Sequence, residues 1–539
     1  MSESGPAAGL RRGHRRRRPP VLLAVAAVAA VAAVTLPLAY LVIRAAGGGD
    51  AWEVLGRHRT LELVAQTGAL VAAVTAAALV IGVPLAWLVI RTDLPGRRLW
   101  ALAAALPLVI PSYVAALVLL AAFGPRGLLQ RLLEGPFGVE RVPDIYGFPG
   151  ALMALTLATY PYVYLLAAAA LRDIDPALEE ASRSLGHSAL TTFRRVTLPV
   201  LRPSIGAGGL LVALYTLSDF GAVSLMQYSS LTRAIFVQYQ ALFDRRPAAV
   251  LALVLVLLTA IVLVLEGRAR GRAYHRLAPG TRRPARRVRL GRWRWPALAF
   301  CTLVVAFALA LPLAVIGYWL ARAVSLGEPF RPVWGAAFNS LFASLLAAVA
   351  AVAVAIPVAA LAVRWPAWWT RTLERLAYGS NALPGIVIAL SLVFFAANYA
   401  APVYQTLLVL VFAYVVRFYP QAVAGVHSAF LRVDPRLEEA ARGLGRTPAR
   451  AFVSVILPLV APGFLAGAAL VFLSTMKELP ATLLLRPIGF DTLATEVWTA
   501  TTVGFYSRAA LPALLLLVLA APFIYLLTIR RNVEVGAPG

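Results

Sequence analysis

Cysteine and lysine are almost absent from this chain of 539 residues. The single cysteine, Cys301, excludes an intrachain disulfide framework and a thiolate metal site. The five histidines are scattered, without the spacing of metal ligands. The single lysine, Lys477, excludes a phosphate-binding loop of the form Gly-x-x-x-x-Gly-Lys-Ser/Thr, because Lys477 stands in the sequence Met-Lys-Glu-Leu. No catalytic triad or hydrolytic carboxylate pair stands out, so we predict no enzyme activity and no metal or cofactor bound by this chain.

Charged residues are also scarce, at 14% of the chain against about 25% in soluble proteins. Hydrophobic residues make up 60%, and the mean hydropathy is +0.79. Long apolar runs recur, and their lack of period-2 alternation favours helices over the strands of a barrel. We therefore predict an all-α polytopic membrane protein. The twelve expected spans are 21–43, 61–90, 101–123, 149–171, 203–226, 247–265, 297–320, 338–363, 381–397, 403–425, 460–476 and 509–529.

The net charge of +26 comes from arginines that lie mainly in short segments between the apolar runs. This pattern is typical of cytoplasmic loops, and we expect no nucleic-acid partner. The first apolar run is too long for a signal peptide, which indicates an uncleaved span and places both termini in the cytoplasm. The densest basic segment, 266–296, is interpreted as a cytoplasmic linker that sets topology and contacts membrane lipid.

A short polar cassette occurs twice in the chain, with every matched residue 259 positions apart. Each copy falls on a predicted cytoplasmic loop between the fourth and fifth spans of one half. An even number of spans in each half makes the two repeats parallel. The predicted organisation is a basic tail 1–20, a first half 21–265 with cassette 175–203, the linker 266–296, a second half 297–530 with cassette 434–462, and a tail 531–539.

Local signals in the first cassette predict a short helix, a glycine turn and a second helical segment. Asp175 followed by Pro176 is a typical helix start, and the acids after it favour the first turn. Gly186 is placed to end the helix, and the second segment is expected to run to Leu198-Pro199. An amphipathic helix on the membrane surface would account for one such cassette but explains two copies at the same spacing poorly.

Ionisable residues also lie inside or at the ends of the predicted spans. Asp219 and Glu478 are again 259 positions apart, each near the outer end of the fifth span of its half. A charged group in a membrane is costly and normally faces a cavity or a partner. Two alternatives remain: the carboxylates line a shared pathway, or they reach to the membrane interface or cap the following loops. Lys477 offers a counter-charge to Glu478, and Arg417 is a further buried charge on the candidate pathway.

The Glu-Ala-Ala, Gly and Leu-Pro pattern resembles the cytoplasmic loop of binding-protein-dependent ABC transporter permeases. In that family the helix before the glycine is a coupling helix that sits in a groove of the ATPase subunit. Ser182 stands where the family often has alanine. The resemblance implies that ATPase coupling involves Glu179, Glu180, Ala181 and Gly186 in the first copy, and Glu438, Glu439, Ala440 and Gly445 in the second.

Residues Met476 to Pro487, with Ser218 to Val223 as the matching segment, resemble the fused two-half permeases of the ferric iron class. The resemblance implies a type I importer fold in a bacterial inner membrane and a ferric iron substrate, with thiamine, phosphonate, polyamine or sulfate as alternatives. It also implies two copies of a cytoplasmic ABC ATPase, which bring ATP and Mg, and a periplasmic or lipid-anchored solute-binding protein. An ion-coupled secondary transporter is the alternative of another class, which the scarcity of mid-span acids disfavours.

Overall fold

The fold is derived from a computed structural model of the chain. It describes residues 19–46, 53–125, 127–139, 141–240, 246–273, 287–327, 333–434 and 436–533. Most of the two tails, the middle of the Arg-rich linker and Pro435 of the second cassette lie outside the described residues. Within the described part, the chain is helical throughout, and its only β-pairing is an isolated parallel bridge between Thr92 and Val288.

Among its described residues, the first half of the chain forms thirteen α-helices. They are α1 (Val21–Ala46), α2 (Glu53–Gly56), α3 (His58–Arg91), α4 (Arg97–Ala103), α5 (Ser112–Phe123), α6 (Leu128–Phe137), α7 (Phe148–Asp173), α8 (Pro176–Ser184), α9 (Ala189–Thr192), α10 (Leu198–Ser218), α11 (Gly221–Leu225), α12 (Leu231–Gln240) and α13 (Arg246–Ala273). A 3₁₀ turn at Leu106–Val109 precedes α5, and a π-helical segment at Phe193–Thr197 joins α9 to α10 without a break.

Among the described residues, the second half repeats this order without counterparts of α2 and α6, and a π-helical segment, Ala306–Ala310, divides its first span into two helices. Its helices are α14 (Arg294–Val305), α15 (Leu311–Ser325), α16 (Trp334–Arg364), α17 (Trp368–Gly379), α18 (Gly385–Tyr399), α19 (Leu407–Leu431), α20 (Arg436–Gly443), α21 (Pro448–Ala451), α22 (Leu457–Met476), α23 (Pro480–Leu485), α24 (Leu493–Thr502) and α25 (Tyr506–Val533). A π-helical segment, Phe452–Ile456, again joins the short helix of the cassette to the next long helix. The all-α, two-repeat architecture predicted from the sequence is therefore confirmed.

Each of the twelve expected spans corresponds to a helix. Among the described residues, ten helices are long and apolar enough to cross a membrane, or eleven if a helix pair bent by 101° counts as one span. That pair is α17 with its 3₁₀ extension and α18, which meet at Pro384. The last expected span, 509–529, lies within α25.

Three expected boundaries are wrong. The third span does not begin at 101, because Pro107 and Pro111 interrupt the helix and α5 starts only at Ser112. The fifth does not run to 226, because α10 ends at Ser218 and the chain turns at Asp219 into the short α11. The second segment of the cassette does not end at Leu198-Pro199, because proline is tolerated in the first turn of α10 and the helix continues.

The two halves are interlocked through their first helices. Helix α1 packs against α16 and α18 of the second half, while α14 and α15 contact α3 and α5 of the first. The Ser391 hydroxyl donates a 2.6 Å hydrogen bond to the carbonyl oxygen of Pro37, and the Arg44 guanidinium lies 5.5 Å from the centre of the Phe394 ring. Within the described residues one continuous apolar core therefore runs through both halves.

Candidate coupling and pathway sites

The short helix of the first cassette forms as its sequence predicts. The Asp175 carboxylate accepts a 2.9 Å hydrogen bond from the backbone N–H of Ala177, so Asp175 caps α8. Gly186 follows the helix with φ of +84°, a left-handed conformation that suits glycine. In the second copy Asp434 accepts a 2.9 Å bond from the N–H of Arg436, and Gly445 has φ of +83°. The predicted start and stop of both helices are confirmed.

The paired glutamates of the first cassette face in opposite directions. Glu179 is buried, and its carboxylate lies 3.6 Å from Arg91 Nε and accepts a 2.9 Å hydrogen bond from the Thr197 hydroxyl. Arg91 is the last residue of α3, so this ion pair ties α8 to the end of a membrane-spanning helix. Glu180, the next residue, is exposed.

The second cassette repeats this arrangement. Glu438 pairs with Arg364, the last residue of α16, and the Arg364 guanidinium also lies 5.4 Å from the centre of the Phe430 ring. Glu439 is exposed, as Glu180 is. Arg91 and Arg364 are 273 positions apart rather than 259, and this is why the sequence comparison did not pair them. Both arginines were missed as members of the site.

Ser182, where the resembled family often has alanine, is accommodated by a local polar group. Its buried hydroxyl hydrogen-bonds with Thr192 at 3.1 Å and with His187 Nδ1 at 3.2 Å. The corresponding residues of the second copy are Ala441 and Ala451, both buried and apolar. The same contact between the first helix of the cassette and the next helix is therefore polar in one half and apolar in the other.

The exposed face of each cassette carries leucines as well as a glutamate. Leu185 and Leu444 stand immediately before the turn glycines, and their side chains are 77% and 84% exposed. Leu178 and Leu437, one to two turns earlier, are also exposed. The ion pairs Arg91–Glu179 and Arg364–Glu438 hold each face at the C-terminal end of a long helix, α3 in the first half and α16 in the second. Together they form two matched apolar patches with acidic neighbours.

The predicted pathway carboxylates cap the short helices that follow them. Asp219 is buried, accepts a 3.0 Å hydrogen bond from the N–H of Ala222 at the start of α11, and also accepts the Ser112 hydroxyl. Glu478 likewise accepts a 3.4 Å bond from the N–H of Ala481 in α23. Both carboxylates therefore cap the short helix that follows them, as the capping alternative predicts, and their place on a pathway stays a prediction.

The residues that face the two carboxylates are also related by the repeat. Ser112 begins α5 just after Pro111, and Gly385 begins α18 just after Pro384. A Cβ added to Gly385 would collide with the Glu478 carboxylate and lie 3.2 Å from Pro480. The longer Glu478 thus fills the space that a serine side chain occupies in the first half.

The capped helices meet where the two halves join. Gly221 of α11 packs between Tyr113 and Leu479, so that an added Cβ would lie 2.8 and 3.3 Å from their side chains. The rings of Phe220 and Trp498 are 5.2 Å apart across the same boundary. We call this boundary, built from residues 108–113, 219–221 and 477–479, the seam.

Lys477 crosses the seam. Its Nζ donates a 3.0 Å hydrogen bond to the carbonyl oxygen of Leu108, in the 3₁₀ turn before α5. The expectation that Lys477 simply neutralises Glu478 is not met, since no ion pair joins them in the part of the chain that the structure describes. Arg417 donates a 2.7 Å hydrogen bond to the carbonyl oxygen of Leu383, just before Pro384. Leu108 and Ser112 are seam residues that sequence reasoning missed.

The structure is therefore that of a helical membrane protein of two interlocked repeats, with a matched polar cassette in each half and buried charges at the seam. The family described as binding-protein-dependent transport system inner membrane component matches residues 78–268 and again residues 353–531. These matches cover more than half of the chain, which therefore belongs to this family of ABC importer permeases.

Individual relatives agree with this assignment. The Fe(3+)-transport system permease protein FbpB 2 of Haemophilus influenzae is 34% identical over 519 residues, which cover 95% of this chain and 98% of that protein. The probable ABC transporter permease protein y4fN of Sinorhizobium fredii is 27% identical over 479 residues, 82% of each chain. A probable molybdenum ABC transporter permease of Haloferax volcanii is 33% identical over 234 residues, 42% of this chain and 83% of that protein. The similarity to the ferric transport permease extends over nearly the whole chain.

Proposed function

We propose that the chain is the permease subunit of an ATP-driven, binding-protein-dependent importer, in which a separate ATPase subunit docks on each cassette. The observation that carries the proposal is the matched pair of exposed faces, each with a glutamate and two leucines, on helices tied to the ends of α3 and α16. Exposed apolar side chains with a charged rim are typical of protein interfaces. ATP and Mg are then bound by the ATPase subunits.

The ion pairs supply the mechanical connection in this proposal. A force applied to Glu180 moves α8, and the Glu179–Arg91 pair transmits the movement to α3. The continuous run of α9, the π segment and α10 provides a second connection, which leads directly to Asp219 at the seam. The second half has the same two connections through Arg364 and α22. Movement of both cassettes would thus rock the halves at the seam, which is alternating access.

The proposed cargo is ferric iron, handed over by a solute-binding protein outside the membrane. The support is the relative with a ferric transport name, which is similar over 95% of this chain. Carboxylate and hydroxyl oxygens at the seam, from Asp219, Glu478 and Ser112, are donors that suit a hard cation. They would form a transient polar surface along the pathway and not a resident metal site.

An oxyanion such as sulfate or molybdate is the second candidate cargo. Lys477 and Arg417 place two cationic groups at the same seam, and such groups favour an anion. Uptake of radioactive iron and of radioactive sulfate or molybdate, measured in proteoliposomes with the ATPase and the binding protein, separates the two candidates. Iron uptake without oxyanion uptake supports the first, and the reverse result overturns it.

Reversal of the exposed charges tests ATPase docking. The variant Glu180→Arg/Glu439→Arg is expected to reduce co-purification of the ATPase by about tenfold or more, since like charges at an interface cost several kcal/mol. The matched control is Glu134→Arg, an exposed acid on α6, between the end of α5 and the start of α7 and so away from the cassettes. Unchanged ATPase binding and transport by the double variant would contradict the proposal. ATP-independent uptake by the chain alone with an ion gradient would revive the secondary-transporter alternative.

A further inference from the structure

The described end of the Arg-rich linker is held against the turn between α3 and α4. The Val288 N–H donates a 2.9 Å hydrogen bond to the carbonyl oxygen of Arg91, and the Val288 carbonyl oxygen accepts a 3.1 Å bond from the N–H of Asp93. The Leu290 N–H adds a third bond, 2.9 Å long, to the Asp93 carboxylate. This segment is therefore a built part of the fold, on the same face as the first cassette.

An open cleft of about 490 Å³ lies where the linker meets this turn. Its walls carry three arginines, of which Arg97 and Arg98 come from the start of α4 and Arg287 from the linker. The only acid on the walls is Asp93, and one of its oxygens already accepts the Leu290 N–H. None of the three arginines forms an ion pair within the described residues. Among the described residues, the lining of the cleft therefore carries more positive than negative charge.

The arginines repel one another at this position. Partial burial, together with the charges of Arg287 and Arg98, lowers the pKa of Arg97. The backbone bridge between Thr92 and Val288 nevertheless holds Arg287 beside α4. A bound anion would reduce the repulsion between these arginines. Guanidinium groups bind phosphate through paired hydrogen bonds, and three of them around one cleft suit a phosphate group better than a carboxylate.

The surroundings place the cleft at the membrane surface. Leu99, one turn into α4, is 67% exposed at the edge of the cleft. Trp293 and Trp295, a few residues after the bridge, are 64% and 75% exposed, and tryptophans concentrate where membrane meets water. A phosphate group can reach such a cleft from an anionic lipid or from solution.

We propose that Arg97, Arg98 and Arg287 form a binding site for an anionic phosphate group, which fastens the linker to the turn beside the first cassette. The site is independent of the cargo pathway. Arg91, whose carbonyl oxygen anchors the linker, is also the partner of Glu179. A phosphate bound there therefore acts on the turn that carries force from the first cassette into α3.

The test uses the full-length chain in detergent and two charge-matched double variants. Arg97→Gln/Arg287→Gln removes two of the three arginine charges that line the cleft. Arg289→Gln/Arg292→Gln removes two exposed linker arginines that do not line it. Native mass spectrometry measures the retention of phosphatidylglycerol against phosphatidylcholine, and thermal melting measures stabilisation by inorganic phosphate against chloride at equal ionic strength.

In the cleft variant, the ratio of retained phosphatidylglycerol to phosphatidylcholine is expected to fall by about tenfold, or the rise in melting temperature caused by inorganic phosphate is expected to disappear, or both. The control variant is expected to keep both. Loss of the lipid preference alone assigns the site to a lipid headgroup, and loss of the phosphate effect assigns it to soluble phosphate. An equal loss in both variants, or no preference in the unaltered chain, overturns the proposal. Arg287→Gln alone, a change of one exposed side chain, gives a partial loss without affecting folding and guards against a misfolded double variant.

Discussion

Lys477 of the second half donates a hydrogen bond to the carbonyl oxygen of Leu108 in the first half, across 3.0 Å. Lys477 is the chain's only lysine, and its hydrogen bond joins two residues that are 369 positions apart. A charged donor bound to a backbone acceptor at the seam opposes separation of the halves there. If alternating access opens the seam, this bond must break and form again in each cycle.

Lys477→Met is expected to loosen the seam. The variant keeps the volume of the side chain and loses a bond of the class that contributes about 1.5–3 kcal/mol. The assay places one cysteine at the seam, as Leu108→Cys, after the native cysteine has been removed by Cys301→Ser. This cysteine should be alkylated severalfold faster in the protein that also carries Lys477→Met than in the protein that keeps Lys477. Leu108→Cys keeps the backbone acceptor, so the assay itself does not remove the bond. Lys477→Arg is the control, and equal alkylation rates in all three backgrounds would show that the bond does not hold the seam.

Loss of Arg91 should destabilise the protein more than loss of Arg364. The Arg91 and Glu179 side chains are 4% and 9% exposed, whereas Arg364 and Glu438 are 19% and 21% exposed. Removal of one partner of a buried pair costs about 3–5 kcal/mol, because the other charge stays buried alone. The melting temperature in detergent should be lower for Arg91→Ala than for Arg364→Ala. Arg91→Ala/Glu179→Ala should recover part of the loss, and a double variant as unstable as the single one would contradict this account.

The turn glycines should be sensitive to a single methyl group. Gly186 and Gly445 have positive φ, and an added Cβ at either meets nothing within 4 Å, so the cost of alanine is conformational and about 1–2 kcal/mol per site. If the cassettes dock on an ATPase as proposed, Gly186→Ala/Gly445→Ala should weaken the stimulation of ATPase activity by the permease, because the turns set the direction of the short cassette helices. Gly443→Ala is the control, since this glycine also has open space around it and lies within α20. Equal stimulation in both variants would show that the turn geometry is not required.

The environment of Glu478 can be converted into that of Asp219. Gly385→Ser should destabilise the protein on its own, since its Cβ would collide with the Glu478 carboxylate. The shorter carboxylate of Glu478→Asp should relieve the collision and allow the serine to donate to it, as Ser112 does to Asp219. The double variant Gly385→Ser/Glu478→Asp is thus expected to have a higher melting temperature than Gly385→Ser alone. If Glu478→Asp gives no rescue, the two seam sites are not equivalent.

Local sequence signals predicted a large part of this protein correctly. Hydropathy located the spans, because a helix that crosses a membrane needs about 20 apolar residues whatever surrounds it. The caps Asp175 and Gly186 were also predictable, because the start and the end of a helix depend on the nearest few residues. The repeat at 259 positions exposed the cassettes and the pair of Asp219 and Glu478.

Long-range partners were decided only by the tertiary structure. Nothing near Glu179 in the sequence indicates that Arg91 binds it while Glu180 stays exposed, or that Lys477 reaches past Glu478 to Leu108. The packing of α1 against the second half, and of α15 against α5 of the first, was equally invisible in the sequence. Helices in a membrane associate through shape and a few polar contacts, because lipid removes the hydrophobic drive between them. The sequence by itself thus determined the spans, the repeat and the exposed cassettes, and packing determined which charged side chains meet.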